Sequence, residues 1–266
     1  MIIKNILKKN KLLKNIYQNE ECYLFGNGSS IKKYDLRKFK GKNIFSCGWL
    51  FLHKDYKYLN ILADFEMHPG IFFPIWKNEY KNKFEFNKIN QIFKSKNRLN
   101  KANYFFTSLI NLPGLLMYNN IYYLYHFGKK NFDYSFIDPS KKFSLMENSL
   151  YSMVGIASFM GFKNIYLVGM DYLLDKPIIG HFYENFEKSI ENSPTQKLKN
   201  KFFFDYFKKK NNFKLIVSDK NHKSFLDTIE YDKFFNCSVE NNSNLDIISK
   251  DNLNLLNKSG LTYKIF

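Results

Sequence analysis

Short apolar runs recur along the chain, and each runs straight into glycine or polar residues. CYLFG at 22–26 leads into Asn27-Gly28-Ser29-Ser30, NIFSC at 43–47 into Gly48-Trp49, and NILADF at 60–65 into Glu66-Met67-His68-Pro69-Gly70. Later runs are 103–108, 121–126, Ile165 to Val168 and Phe213 to Val217. Runs this short and this continuously apolar are the mark of strands buried on both faces, as in parallel sheets. Between them, Asn148 to Phe162 is rich in small residues and predicts a helix, and 199–210 predicts a Lys- and Phe-rich one. In the latter, the stripe Phe202, Phe203, Phe204, Tyr206, Phe207 reads as core. A further helix is expected from about Lys223. The pattern predicts an α/β fold: a Rossmann-like, mostly parallel sheet with helices on both faces and a small lid-like subdomain. Its parts are a basic N-terminal helix at 1–21, a nucleotide-binding domain at 22–172 and 198–235, a lid or acceptor loop at 173–197, and a polar tail at 236–266. Residues 71–100 read as helix and loop, and 128–147 as loop. In the tail, Leu255-Leu256 and Tyr263 to Phe266 are candidate docking points.

Composition narrows the picture. With 45% hydrophobic residues, 266 residues can bury a sizeable core, so wholesale disorder is excluded. The formal net charge of +17 favours an anionic partner: nucleotide, acidic glycan or lipid headgroup. Nucleic acid is not expected, because no zinc-finger spacing and no aromatic RNP-like signature occurs. Three widely spaced cysteines, Cys22, Cys47 and Cys237, give no metal-ligand spacing and suit a reducing cytoplasm. No apolar run is long enough to span a bilayer. In the N-terminal stretch, Ile2, Ile3, Ile6, Leu7, Leu13 and Ile16 fall roughly on one side. That leaves two readings: a helix lying on an anionic membrane, or a helix packed on the domain.

Candidate chemistry gathers where strands end, since open α/β sheets bind ligands beyond the carboxyl ends of their strands. The turn Asn27-Gly28-Ser29-Ser30 suits a phosphate or a ribose, although it is neither GxGxxG nor a Walker loop. Ser149 begins a helix, where hydroxyl and backbone N–H groups can meet developing negative charge. Asn148 is either its N-cap or a ligand contact. After the strand ending at Val168 come Gly169, Asp171 and Tyr172. Asp171 is either a helix cap or an acceptor for ribose hydroxyls and a base amine, and Tyr172 can pack on a ring. His181, after Gly180, is a candidate general base or a surface residue. Asp64 and Glu66 form the one weak divalent-ion pattern, whereas His53, His126 and His222 read as structural.

The sequence blocks GNGSSI, NSLYSMVGIASFMGFKNIYLVGMD, IGH and FKLIVSDKNHKSF, in that order over about 22–235, resemble the bacterial sialyltransferases of glycosyltransferase family forty-two. The GMD block is also similar to the hydroxymethylpterin pyrophosphokinases of the wider superfamily. The resemblance implies a metal-independent, inverting transfer of a sialic-acid-like sugar from a CMP-linked donor to a surface glycan, without further cofactor. His181 matches the base. Asn27 matches a nucleotide contact near the phosphate. Asn148 and Ser149 match a donor-contacting Thr-Ser pair, and Gly169, Asp171 and Tyr172 match the cytidine site. Gly28 and Ser29 belong to the same turn as Asn27. Three positions depart from the pattern: Gly48 and His68 stand where the family has asparagines, and Met146 where it has an arginine. The linker from GMDY to IGH is also shorter. Relatives imply a homo-oligomer, and the setting expected is the cytoplasm, peripheral on the inner membrane. The rival expectations are a Mg²⁺-dependent pyrophosphokinase-like phosphotransferase and a non-catalytic nucleotide- or glycan-binding module.

Overall fold

The computed structural model describes residues 2–67, 72, 101–115, 118–125, 137–146, 148–191, 193–252 and 254. Ten strands are found among them: β1 Glu21–Phe25, β2 Ile44–Cys47, β3 Ile61–Glu66, β4 Tyr104–Ser108, β5 Ile121–Leu124, β6 Asn164–Val168, β7 Ile178–Ile179, β8 Lys188–Ser189, β9 Asn212–Val217 and β10 Asp227–Glu230. The helices used below are α1 Ile2–Lys8, α2 Ser149–Met160, α3 Pro194–Lys208 and α4 Tyr231–Phe235. The chain divides into two compact units.

The first unit comprises Met1–Glu20, Phe45–Cys47 and Ile61–Phe162. Its sheet runs β2-β3-β4-β5, with β3–β4 and β4–β5 parallel. Every residue of β3 is buried, the carboxylates of Asp64 and Glu66 included with its apolar side chains. Helix α2 is also buried along most of its length, from Leu150 to Ala157 and at Met160. Such a helix has no amphipathic stripe to display, and its ends are fixed by local chemistry. Asn148 accepts a hydrogen bond from the Tyr151 N–H at 2.9 Å. Gly161, in the left-handed region at φ 94°, closes the other end.

The N-terminal segment is not one helix to residue 21: α1 stops at Lys8 and tightens into a 3₁₀ turn over Lys9–Leu13. Leu7 and Leu13 are buried. Asn10 pins the turn, its Nδ2 donating to the carbonyls of Tyr123 at 2.8 Å and Pro139 at 2.7 Å. Of the two readings left open above, packing on the domain is what Leu7, Leu13 and Asn10 do. Ile3 and Ile16 remain exposed.

The second unit comprises Glu21–Ile44, Gly48–Asn60 and Lys163–Phe266. Its sheet runs β10-β9-β6-β1, with all three pairings parallel. The expected α/β class with Rossmann-like parallel strands is what the chain forms. Four local expectations change. The helix expected from Lys223 is instead β10, a half-exposed edge strand, and a helix (α4) begins only at Tyr231. The 173–197 loop carries the antiparallel β7–β8 pair, and α3 starts early, with Pro194 in its first turn. Phe202 is 67% exposed, while Phe203, Phe204 and Phe207 are buried. The polar tail docks through Ile247 and Ile248, both buried, and through Asn252, whose Nδ2 donates to the Phe51 carbonyl at 2.6 Å. Residues 255–266, with the expected docking points, lie outside the described residues, as do 128–136 and most of 71–100.

Candidate functional site

In the second unit, β1 and β6 lie side by side, Phe25 opposite Val168. Their two following turns are therefore forced together. The Gly26 N–H donates to the Val168 carbonyl at 2.8 Å, and the Gly28 N–H to the Gly169 carbonyl at 2.9 Å. A Cβ on Gly28 would sit 2.5 Å from Asp171 Oδ2, so only glycine lets the turns approach this closely.

Asp171 holds that approach in place. Its Oδ1 accepts from Ser30 Oγ at 2.5 Å, and its Oδ2 accepts from the Ser30 N–H at 2.8 Å and from Ser29 Oγ at 3.3 Å. The carboxyl, Ser29 and Ser30 are all buried. Burial raises the Asp171 pKa, and the serine hydrogen bonds work against that rise. Asp171 thus spends both oxygens on the glycine-rich turn, shaping it from beneath. Tyr172, next in sequence, is 41% exposed.

Asn27 is held by a second turn. Its Oδ1 accepts from the Trp49 N–H at 3.2 Å. Gly48 has φ 61°, and a Cβ there would lie 2.6 Å from Asn27 Nδ2. The missing side chain at position 48 is what makes room for the Asn27 amide.

The loop carrying His181 is stitched to the same turn. Gly28 and His181 form an antiparallel bridge, and the Phe182 N–H donates to the Asn27 carbonyl at 3.0 Å. Gly180, at φ 115°, turns the chain into this position. Phe182 is fully buried and anchors the loop. The His181 imidazole then meets two neighbours. Its Nδ1 lies 2.7 Å from Glu184 Oε2, and the same oxygen accepts from the His181 N–H at 3.0 Å. Its ring lies parallel to Tyr183, centroids 5.0 Å apart at 5°. Tyr183 in turn neighbours Trp49 at 6.3 Å. A carboxylate at this distance from Nδ1 favours the Nδ1–H tautomer, which leaves the Nε2 lone pair as the basic site. The His181 side chain is 45% exposed.

Five of the residues singled out from sequence, Asn27, Gly28, Ser29, Gly48 and His181, converge here, with Gly169 and Asp171 supporting them. Asn148 and Ser149 belong to the first unit, where Asn148 caps α2. His68 lies outside the described residues. Glu184 and Trp49 were not anticipated as parts of a site, and Ser30, read as part of the turn, was not anticipated as the partner of Asp171. The His181–Glu184 spacing of three was the one available signal. His53, read as structural, is buried. Its Nδ1 accepts from the Asp55 N–H at 3.1 Å, and burial, aided by Lys54, lowers its pKa to about 3. Asp64 and Glu66 are buried on β3, and no group of three or more His, Cys, Asp or Glu arranged to hold a metal occurs among the described residues.

No known protein family matches the chain, and no curated protein does. Among solved structures, the chain is similar to the sialyltransferase CstII from Campylobacter jejuni in complex with a CMP-linked substrate analogue, at 15% identity, with 90% of this chain and 99% of that one covered and a TM-score of 0.44. It is also similar to the monofunctional alpha-2,3-sialyltransferase Cst-I from the same organism, at 20% identity, with 87% and 85% covered and a TM-score of 0.43. At these scores the likeness carries no argument; the fold stands on the strand pairings themselves.

Proposed function

We propose that this chain is an inverting, metal-independent glycosyltransferase. It moves a sialic-acid-like sugar from a CMP-linked donor to a hydroxyl of a surface glycan, at an anionic membrane. One observation carries the reading: an accessible imidazole, fixed by a carboxylate on Nδ1 and a stacked tyrosine, is tied by backbone hydrogen bonds to a glycine-rich turn at the end of β1. The order of sequence motifs supports the choice of donor.

The chemistry balances as follows. His181 Nε2 takes the proton of the acceptor hydroxyl. The acceptor oxygen bonds to the anomeric carbon as the bond from that carbon to the phosphate oxygen breaks, and CMP leaves with the electron pair. The imidazolium formed meets the Glu184 carboxylate, which stabilises it. Asn27, Gly28 and Ser29 form the turn assigned to the nucleotide phosphate, and Tyr172 the exposed ring assigned to the cytosine. The 173–197 segment, with β7 and β8, is assigned to the acceptor, and self-association is part of the same reading.

The test is CMP release from a CMP-sialic acid in the presence of a glycan acceptor, with and without a chelator. His181→Ala should lower turnover by about a hundred- to ten-thousand-fold and leave CMP binding in place. Turnover at the parent's level would remove His181 from the mechanism. Activity abolished by the chelator, with no CMP bound, would favour the pyrophosphokinase-like alternative.

A further inference from the structure

The first unit holds a cleft of about 1110 Å³ between the N-terminal segment and residues 140–142, well away in sequence from the turns described above. Lys4, Lys8 and Lys11 line one wall, at spacings of four and three that put them on one helical face. Lys141 and Lys142 line the other, with Leu7 buried between and Ile3 at 48% exposure. The walls are fastened, not apposed by chance. Asn10 ties the segment to the carbonyls of Tyr123 and Pro139, and Lys9 Nζ donates to the carbonyls of Asn119 and Ile121, the latter at 3.1 Å. Lys141 also meets a carboxylate, that of Asp138, at 3.8 Å.

Lysines gathered around one cleft raise the positive potential inside it, and that potential attracts an anion. A phosphate alone would use the lysines and leave the apolar lining wet. A phospholipid headgroup with the first part of its chains would use both, and the volume is somewhat above the roughly 300–1,000 Å³ of sites that hold drug-sized ligands.

We propose that this cleft docks the protein onto a bilayer containing anionic phospholipid, the lysines on headgroup phosphates and Ile3 at the acyl boundary. This rests on the membrane-surface part of the reading above and gives it a location.

The test is co-sedimentation of the full chain with vesicles of phosphatidylcholine alone and with added phosphatidylglycerol. Turnover of a soluble CMP-sugar and acceptor is measured in parallel. Binding should require phosphatidylglycerol and fall with salt. Replacing Lys4, Lys8 and Lys11 by Gln should weaken it by about a hundredfold, at roughly fivefold per lysine, with soluble turnover unchanged. Lys141→Gln with Lys142→Gln should act in the same direction from the opposite wall. A control replacing Lys199, Lys201 and Lys208 on α3 removes the same charge elsewhere. Equal loss in the control, equal binding to both vesicle types, or protection by inorganic phosphate with no vesicle binding would each overturn the proposal. Vesicle binding without turnover would leave the cleft standing and sink the transferase reading instead.

Discussion

Glu184 is the residue on which the chemistry of His181 turns. Its carboxylate accepts from both the imidazole and the backbone N–H of His181, so it fixes ring orientation and tautomer together. Hydrogen bonds to charged groups are worth about 1.5–3 kcal/mol. Glu184→Ala should therefore reduce kcat by about ten- to a hundredfold with little change in KM for the donor. Glu184→Gln, which keeps an acceptor for Nδ1–H, should recover part of that loss. The imidazole ¹⁵N spectrum of Glu184→Ala should show mixed tautomers, where the parent shows the Nδ1–H form. A single tautomer in the variant would reduce Glu184 to a structural role. The pairing could not be read from sequence, because His and Glu three apart face one another only once Gly180 adopts φ 115° and Phe182 is buried. Asp171 teaches the reverse lesson. Its position at a strand end was legible, whereas its partners Ser29 and Ser30 are more than a hundred residues away.

At the scale of elements, the buried strands were legible because a strand covered on both faces must be continuously apolar. The half-polar edge strand β10, DTIE, carries no such signal. Helix α2 poses a question that its termini answer. Asn148 was open between N-cap and donor contact, and its Oδ1 accepts from the Tyr151 N–H. Asn148→Ala should cost about 1 kcal/mol in urea unfolding, and Asn148→Asp, which also caps, should cost less. If CMP affinity follows the stability loss in Ala and is untouched in Asp, Asn148 acts as a cap alone. Affinity lost in both variants would make it a donor contact.

For the molecule as a whole, acid stability should report His53. The folded state holds this ring neutral, with a pKa near 3 against 6.5 for an unburied histidine. Below pH 6.5 the unfolded chain binds a proton that the folded chain refuses, so stability drops as pH falls from about 6.5 toward 3. One such proton contributes a slope of at most about 1.4 kcal/mol per pH unit. Asp171, whose pKa is raised by burial, works in the opposite sense at the acid end. The effect is thus read as a difference: urea midpoints for His53→Asn, which retains an acceptor for the Asp55 N–H, should decline less steeply with acidification than the parent's. Identical slopes would mean that His53 is protonated in the folded protein. The apolar runs and the glycine-rich turns beyond them are properties of the sequence by itself, and they determined the α/β class and the turns where chemistry would gather. Tertiary structure alone decided which side chains meet. Parallel neighbours β1 and β6 are more than a hundred residues apart, so the Asp171–serine lock exists only once they pair. The His181–Glu184 contact exists only once its loop is bridged to Gly28. The lysine cleft exists only once Asn10 has fastened the N-terminal segment to Tyr123 and Pro139.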